Sequence, residues 1–280
     1  MVIYYGFQKF ENEMLFQYRW KSTSALSQFN KTLAKRISNE QTRSPLHYNY
    51  FQNIVDKQQL NSWQNRSPLS RIREPHYLTD LFGLVGYFNI IDKKILLSPL
   101  LPYQTEALNN GGVLSLNEAE IDQRRATIKQ LEQILMGKGF LELSYNSDAV
   151  NTEQIDLVDE NPTTQASSFK MVETDSQQLI FYRDASINQQ RSVQGFVVNK
   201  KEFLFDLLQL FVRRAGYDNK VQLKVVDKTN RNLQYFAQYS IDKQGKSSVS
   251  VMDETNPSLT AKELYEGGMI APFEHLTLQF

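Results

Sequence analysis

The chain contains no cysteine, which rules out disulfides, thiolate metal sites and cysteine nucleophiles. It also suits an oxidising compartment, where a stray thiol is a liability. Histidine is nearly as scarce. His47, His76 and His275 are scattered, none has a helical i, i+4 partner, and no HExxH motif is present. A Gly-x-Ser-x-Gly elbow and a Walker loop are both missing, and Gly83-Leu84-Val85-Gly86 is too short and wrongly placed for a dinucleotide fingerprint. No excess charge exists either, because 31 basic side chains face 31 acidic ones. Without a net field, a dedicated nucleic-acid partner is disfavoured. No apolar run of about 18 residues occurs, so no complete membrane span is expected. The start, Met1 to Phe7, lacks the basic region and cleavage site of a signal peptide. Tyr4 and Tyr5 read either as an ordinary buried N-terminus or as the interfacial end of a span. The expectation is a chain with no catalytic residues, no metal and no cofactor, not an enzyme by itself.

What the chain does have is aromatic area: 17 Phe and 14 Tyr among 280 residues. That is enough apolar surface to offset chain entropy, and the length fits one large domain or two small ones. From Phe7 to Glu40 there is neither Pro nor Gly. Phe7, Phe10, Met14 and Tyr18, then Leu26, Phe29, Leu33 and Ile37, recur at steps of three and four, the stripe of a long amphipathic helix. At ~1.5 Å per residue it spans roughly 50 Å, a length that suits packing against a second copy. Ser44-Pro45 ends it, and residues 44–80 look irregular, with Tyr48, Tyr50, Phe51 and Trp63 as anchors. Ser-Pro-Leu occurs at 44–46, 67–69 and 98–100, at unequal intervals.

Three hairpins follow. Leu84–Ile91 returns at Ile95–Leu97 through Asp92-Lys93-Lys94; Leu179–Ile187 returns at Arg191–Asn199; Val221–Asp227 precedes Leu233–Ile241. Between them, Ser115 and Glu118 suggest a capping box for a helix carrying Ile121, Ile128, Leu131 and Leu135. Lys201–Arg214 is a helix apolar nearly all round. Residues 144–178 hold seven acidic side chains against one Lys and read as a mobile surface loop; the spacing of Asp156, Asp159 and Glu160 does not match a calcium loop. A short helix near Leu259–Tyr265 and a closing strand at 273–280, which stops as if the chain continued, complete the series. The order predicts an α+β class: a long N-terminal helix (1–43) and a sensor-like domain (44–280) with antiparallel sheet flanked by helices, a PAS- or Cache-like arrangement.

Several stretches resemble a group of periplasmic sensor domains of proteobacterial membrane-bound sensor histidine kinases. They are Ser44-Pro45-Leu46-His47-Tyr48-Asn49-Tyr50-Phe51-Gln52-Asn53, Ser67-Pro68-Leu69-Ser70, Gly83 to Ile90, Ser98-Pro99-Leu100-Leu101-Pro102, Phe181-Tyr182-Arg183, Gln194 to Val198 and Ala271 to Leu278. The likeness runs from about residue 40 to the end. One departure falls at Asp92-Lys93-Lys94, where relatives often carry Asp-x-x-Gly. The resemblance implies a domain tethered between two membrane spans on the periplasmic face of the inner membrane. It also implies a homodimer in the full-length receptor and a cytoplasmic kinase elsewhere in the protein. The other reading is a periplasmic or secreted small-molecule binding domain without kinase output. The resemblance carries over no binding residue. From strand positions, the ligand candidates are Tyr87, Tyr182 and Arg183. Arg183 is the sharpest, since a guanidinium in an apolar strand suits a carboxylate or phosphate, or else a structural ion pair with Asp184 or Glu202.

Overall fold

A computed structural model describes residues 2–50, 67–71, 81–102, 116–142, 163–174, 177–215, 222–228, 234–241, 247–253, 265–271 and 273–279. The chain divides into two compact units, Asn39–Lys201 and Met1–Ser38 with Glu202–Phe280. The fold is α+β, with a long N-terminal helix and antiparallel sheets flanked by helices. That helix, α1 (Val2–Gln41), contributes residues to both units.

In the unit 39–201 the sheet runs β2-β1-β6-β5-β3, with β4 also on β5. Its strands are β1 (Leu84–Ile91), β2 (Ile95–Leu97), β3 (Thr164–Ala166), β4 (Lys170–Glu173), β5 (Gln178–Ile187) and β6 (Gln190–Asn199). Side chains alternate between the two faces. One face is apolar: Phe88, Ile90, Ile180 and Val197 pack with Leu131 and Leu135 of α2 (Glu118–Gly137). Gly86 and Gly195 permit this packing. A Cβ on Gly86 would stand 2.9 Å from Leu131 Cδ1, and one on Gly195 would collide with the Phe181 carbonyl. The β1–β2 turn has three residues, Asp92 to Lys94, and the β5–β6 turn has two. Each carries positive φ at two non-glycine positions, Asp92 (51°) with Lys93 (58°) and Asn188 (48°) with Gln189 (67°). Their backbone matches the strand twist, and side chains there are strained.

Two expectations are corrected in this unit. Within the acidic stretch, Thr164–Ala166 and Lys170–Glu173 are not loop but β3 and β4, both paired with β5. The β3 side chains are all exposed, so backbone pairing rather than burial holds that strand, and polarity in the sequence concealed it. The cap of α2 is Asn117, whose side chain accepts from Glu120 N at 2.8 Å; Ser115 lies outside the described residues, as do Phe51, Trp63, His76 and 143–162. The unequal spacing of Ser-Pro-Leu hides a shared local structure. In each copy the serine Oγ accepts the leucine N–H two residues on, at 3.3 Å (Leu46), 3.1 Å (Leu69) and 3.3 Å (Leu100), and proline supplies the preset φ. Arg124 of α2 donates to Ser70 O and Leu100 O, at 2.8 and 3.0 Å, and so ties the second and third copies together.

In the other unit, Ser22, Ala25, Leu26, Phe29 and Leu33 of α1 are buried, as are Phe203, Leu204, Leu207, Leu208 and Phe211 of α3 (Lys200–Ala215). Phe29 meets Phe211 edge-on at 5.7 Å, and Arg36 Nη2 reaches Asp206 Oδ2 at 2.6 Å. The sheet runs β10-β11-β7-β8-β9, formed by β7 (Gln222–Asp227), β8 (Gln234–Ile241), β9 (Ser247–Asp253), β10 (Glu266–Gly268) and β11 (Leu276–Gln279). β9 and β10 are strands beyond those expected: Ser248 to Val251 of β9 do alternate polar and apolar, a strand signal overlooked in the three-hairpin reading, whereas β10 is three residues with two glycines. The expected helix near Leu259–Tyr265 lies, apart from Tyr265, outside the described residues.

The direction of α1 against β11 follows from three contacts. Leu26 packs on Gly267, while Asn30 donates to Gly268 O (3.4 Å) and accepts from Ile270 N (3.3 Å). Moving from Asn30 toward the start of α1 therefore means moving from Gly268 toward Glu266. Glu266 lies opposite Gln279 and Gly268 opposite Thr277. The end of β11 thus points the same way as the start of α1. Before Ser22 the helix continues for about 30 Å at ~1.5 Å per residue, with Met14, Phe16 and Trp20 exposed (42, 71 and 68%).

Candidate functional site

The α1-facing side of the six-stranded sheet carries a polar rung. Asn89 of β1 pairs with Gln194 of β6, and Gln194 pairs with Arg183 of β5. All three are within 1% of full burial, and all three reach the backbone or side chains just after α1. Arg183 donates from Nη1 to Gln41 O (2.9 Å) and from Nη2 to Arg43 O (2.8 Å). Gln41 is the last residue of α1, so the guanidinium satisfies a carbonyl that the helix leaves unpaired, at the negative end of its dipole. The rings of Tyr48 and Phe169 lie at 5.2 and 5.0 Å from its Cζ and contribute cation–π attraction. Gln194 Nε2 donates to Pro45 O (3.0 Å), and Asn89 Nδ2 donates to Asn49 Oδ1 (2.7 Å).

One rung along the same face, Tyr87 donates its hydroxyl to Glu40 Oε2 (3.0 Å). Arg43 grips the same carboxylate in two places, Nε to Oε2 at 2.6 Å and Nη2 to Oε1 at 2.9 Å. Glu40 is an acid in the last turn of a helix, where the dipole opposes it, and the two donors offset that cost. On the fourth side, Gln41 Nε2 donates to Ser167 O (2.8 Å) and Phe169 N donates to Gln41 Oε1 (2.9 Å). The end of α1 is thereby fastened to β1, β6, β5 and the β3–β4 link. We call this arrangement the clamp.

Burial sets the acid–base behaviour of the clamp. It pushes the Tyr87 hydroxyl well above its ordinary range, with the Glu40 charge adding to the effect, and raises the Tyr48 hydroxyl despite Arg183. Burial alone pulls the Arg183 guanidinium down. For Arg43, burial is the largest single influence and acts against the charge, but the hydrogen bond to Glu40 together with the electrostatic influence of Tyr87, Glu40 and Tyr48 outweighs it, and the net shift is upward. His47, on the turn after α1, is lowered by burial and then by the Arg43 charge.

The three sequence candidates therefore divide. Tyr87 and Arg183 share this face and are fully buried, and their hydrogen bonds go to the chain itself. Arg183 pairs with carbonyls rather than with Asp184 or Glu202; Asp184 instead meets Lys170 at 3.6 Å. Tyr182 faces the opposite side, half-buried, edge-on to Phe140 at 4.8 Å. Sequence reading missed Glu40, Asn89 and Gln194. The last two each interrupt an apolar strand with one amide, the same signal that singled out Arg183.

At the end of the sheet where the two hairpins turn, an open cleft of about 610 Å³ is lined by Ile90, Val193 and Asp184 of the apolar face, by Ser167 and Ser192 of the clamp side, and by Lys93 and Arg191. Ile90, Val193 and Asp184 form the next cross-strand rung, each one residue along from Asn89, Gln194 and Arg183. None of the three sequence candidates lines the cleft. Among the described residues, no group of His, Asp or Glu is arranged to hold a metal, and no helix is long and apolar enough to cross a membrane. No family model matches the sequence, and neither a curated protein nor a solved structure matches the chain.

Proposed function

We propose that the chain is the extracytoplasmic ligand-sensing domain of a membrane-bound two-component sensor histidine kinase, of PAS- or Cache-like architecture, on the periplasmic face of the bacterial inner membrane. One observation carries this reading: the end of β11 points the same way as the start of α1. That is the geometry a domain held between two spans of one bilayer requires. The chain itself has no catalytic role in this reading; the kinase lies elsewhere in the parent protein, which works as a homodimer.

The small-molecule partner belongs in the cleft beside Ile90 and Val193, where Lys93 and Arg191 offer cations. Tyr87 and Arg183 act as transmitters rather than as ligand contacts. Their strands carry the cleft rung and the clamp rung one residue apart, and Ser167 and Ser192 border both. A ligand that binds one twist of β1, β6 and β5 better than another shifts the population of that twist, and the clamp passes the shift to the end of α1. Movements of ~1–2 Å suffice for output between packed helices. The test is the parent gene together with a thermal-shift screen of small carboxylates. Hydrophobic spans on both sides, and a ligand whose stabilisation grows with concentration and is lost in Arg191→Ala, are the expected results. A gene without flanking spans refutes the receptor and leaves a secreted or periplasmic binding domain.

A further inference from the structure

The seam between the polar rung and residues 41–49 leaves polar atoms unmatched. Asn89 Oδ1 and Gln194 Oε1 are buried acceptors without a donor, although each amide's nitrogen is engaged. Arg183 Nε is a buried donor without an acceptor, and Tyr48 OH and Ser192 Oγ are buried hydroxyls without a partner. These groups are neighbours by register. Gln194 stands between Asn89 and Arg183, Ser192 is two residues from Gln194 on the same face, and the Tyr48 ring covers the Arg183 guanidinium. A buried unsatisfied group is destabilising, and five along one seam would cancel much of what the clamp contributes.

The inventory has a simple solution. Two carbonyl acceptors ask for two protons, and a hydroxyl or an N–H asks for a lone pair; a water molecule offers two of each. We infer that the clamp encloses a specific internal water site, in which water donates to Asn89 Oδ1 and Gln194 Oε1 and accepts from Ser192, Tyr48 or Arg183 Nε. The seam on the α1 side of the sheet is therefore wet, whereas the α2 side is packed dry. The difference has a mechanical consequence. Interdigitated apolar side chains resist sliding, but water-bridged groups exchange partners at little cost. The end of α1 is held firmly by direct bonds to Arg183 and Glu40, yet it rests on a layer that lets it shift. This site follows from the unmatched atoms alone and stands or falls independently of the receptor reading.

The test is a crystal structure of this chain at a resolution that resolves ordered water, with a Gln194→Met partner structure. In the unsubstituted protein the expected result is a solvent peak about 2.7–3.2 Å from both Asn89 Oδ1 and Gln194 Oε1. In solution, a cross-relaxation signal between water and the Asn89 side-chain amide protons should accompany it. In Gln194→Met the peak is displaced or lost while the Asn89–Asn49 bond persists. If Asn89 is instead turned over and donates directly to Gln194 Oε1, with no solvent peak and no water signal, the inference is overturned. A peak unchanged by Gln194→Met overturns it as well.

Discussion

Replacing Arg183 by methionine tests the clamp where it is strongest. The substitution keeps an unbranched side chain that fits between the Tyr48 and Phe169 rings but removes every donor. Two charge-assisted hydrogen bonds, at 2.9 and 2.8 Å, are lost, each worth about 1.5–3 kcal/mol. The carbonyls of Gln41 and Arg43 are left in a buried place without those partners, and ring contacts worth about 0.5–2 kcal/mol go too. These terms overlap and do not add in full, and the apolar replacement returns part of the loss. The net destabilisation expected is about 4 kcal/mol, and at ~2–4 °C per kcal/mol for a chain of this size it lowers Tm by roughly 8–16 °C. Thermal unfolding followed by far-ultraviolet circular dichroism reads this directly. The control is Asp184→Asn one residue along, which removes an exposed pair with Lys170 (61 and 70% exposed) and should cost under ~0.5 kcal/mol. If Arg183→Met and Asp184→Asn have the same small effect, the guanidinium is not what holds the end of α1.

Further outcomes follow from the same geometry. Lys93→Gly and Gln189→Gly place glycine at φ of 58° and 67° and should each stabilise the chain by about 0.5–1 kcal/mol. Unchanged or lower Tm in both would mean the two turns relax in another way. Tyr87→Phe leaves the ring packing intact and removes one donor to the Glu40 carboxylate. A loss of about 1–3 kcal/mol is expected in urea unfolding, and a neutral result would show that Arg43 alone satisfies Glu40. His47 is harder to protonate in the fold than in the unfolded chain. The unfolded chain therefore binds more protons as pH falls, so stability from this group is complete above about pH 6.5 and declines below it. In His47→Gln the stability profile should be flatter below about pH 6.5; an unchanged slope would assign the dependence to other groups.

Periodicity carried the elements whose side chains choose one face. The second half of the α1 stripe (Leu26, Phe29 and Leu33), the apolar runs of β1, β5 and β6, and the crowded apolar face of α3 appear where their patterns place them, whereas Met14 of the first half is exposed. β3 escaped because an exposed edge strand is held by its backbone, which leaves no trace in residue type. The division into two sheets was equally hidden, since pairing between β7 and β11 joins positions about fifty residues apart. Arg183 was visible as a cation in an apolar strand, which correctly marks a buried, partnered charge. Its partners were not visible, because they are main-chain carbonyls 140 and 142 residues away and any residue has one. Asn89 and Gln194 carried the same mark, and only the strand register aligns all three into one rung. The clamp could thus be suspected residue by residue but assembled only from the topology.

The proposed placement of this domain outside the cytoplasm is open to one direct measurement. The chain contains no cysteine, so a single cysteine introduced at the exposed Asn117 gives a clean label site in cells expressing the whole gene. With the outer membrane permeabilised and the inner membrane intact, a membrane-impermeant maleimide should label Asn117→Cys as fully as it does after lysis. Labelling that appears only after the inner membrane is broken would place the domain in the cytoplasm and contradict the receptor account.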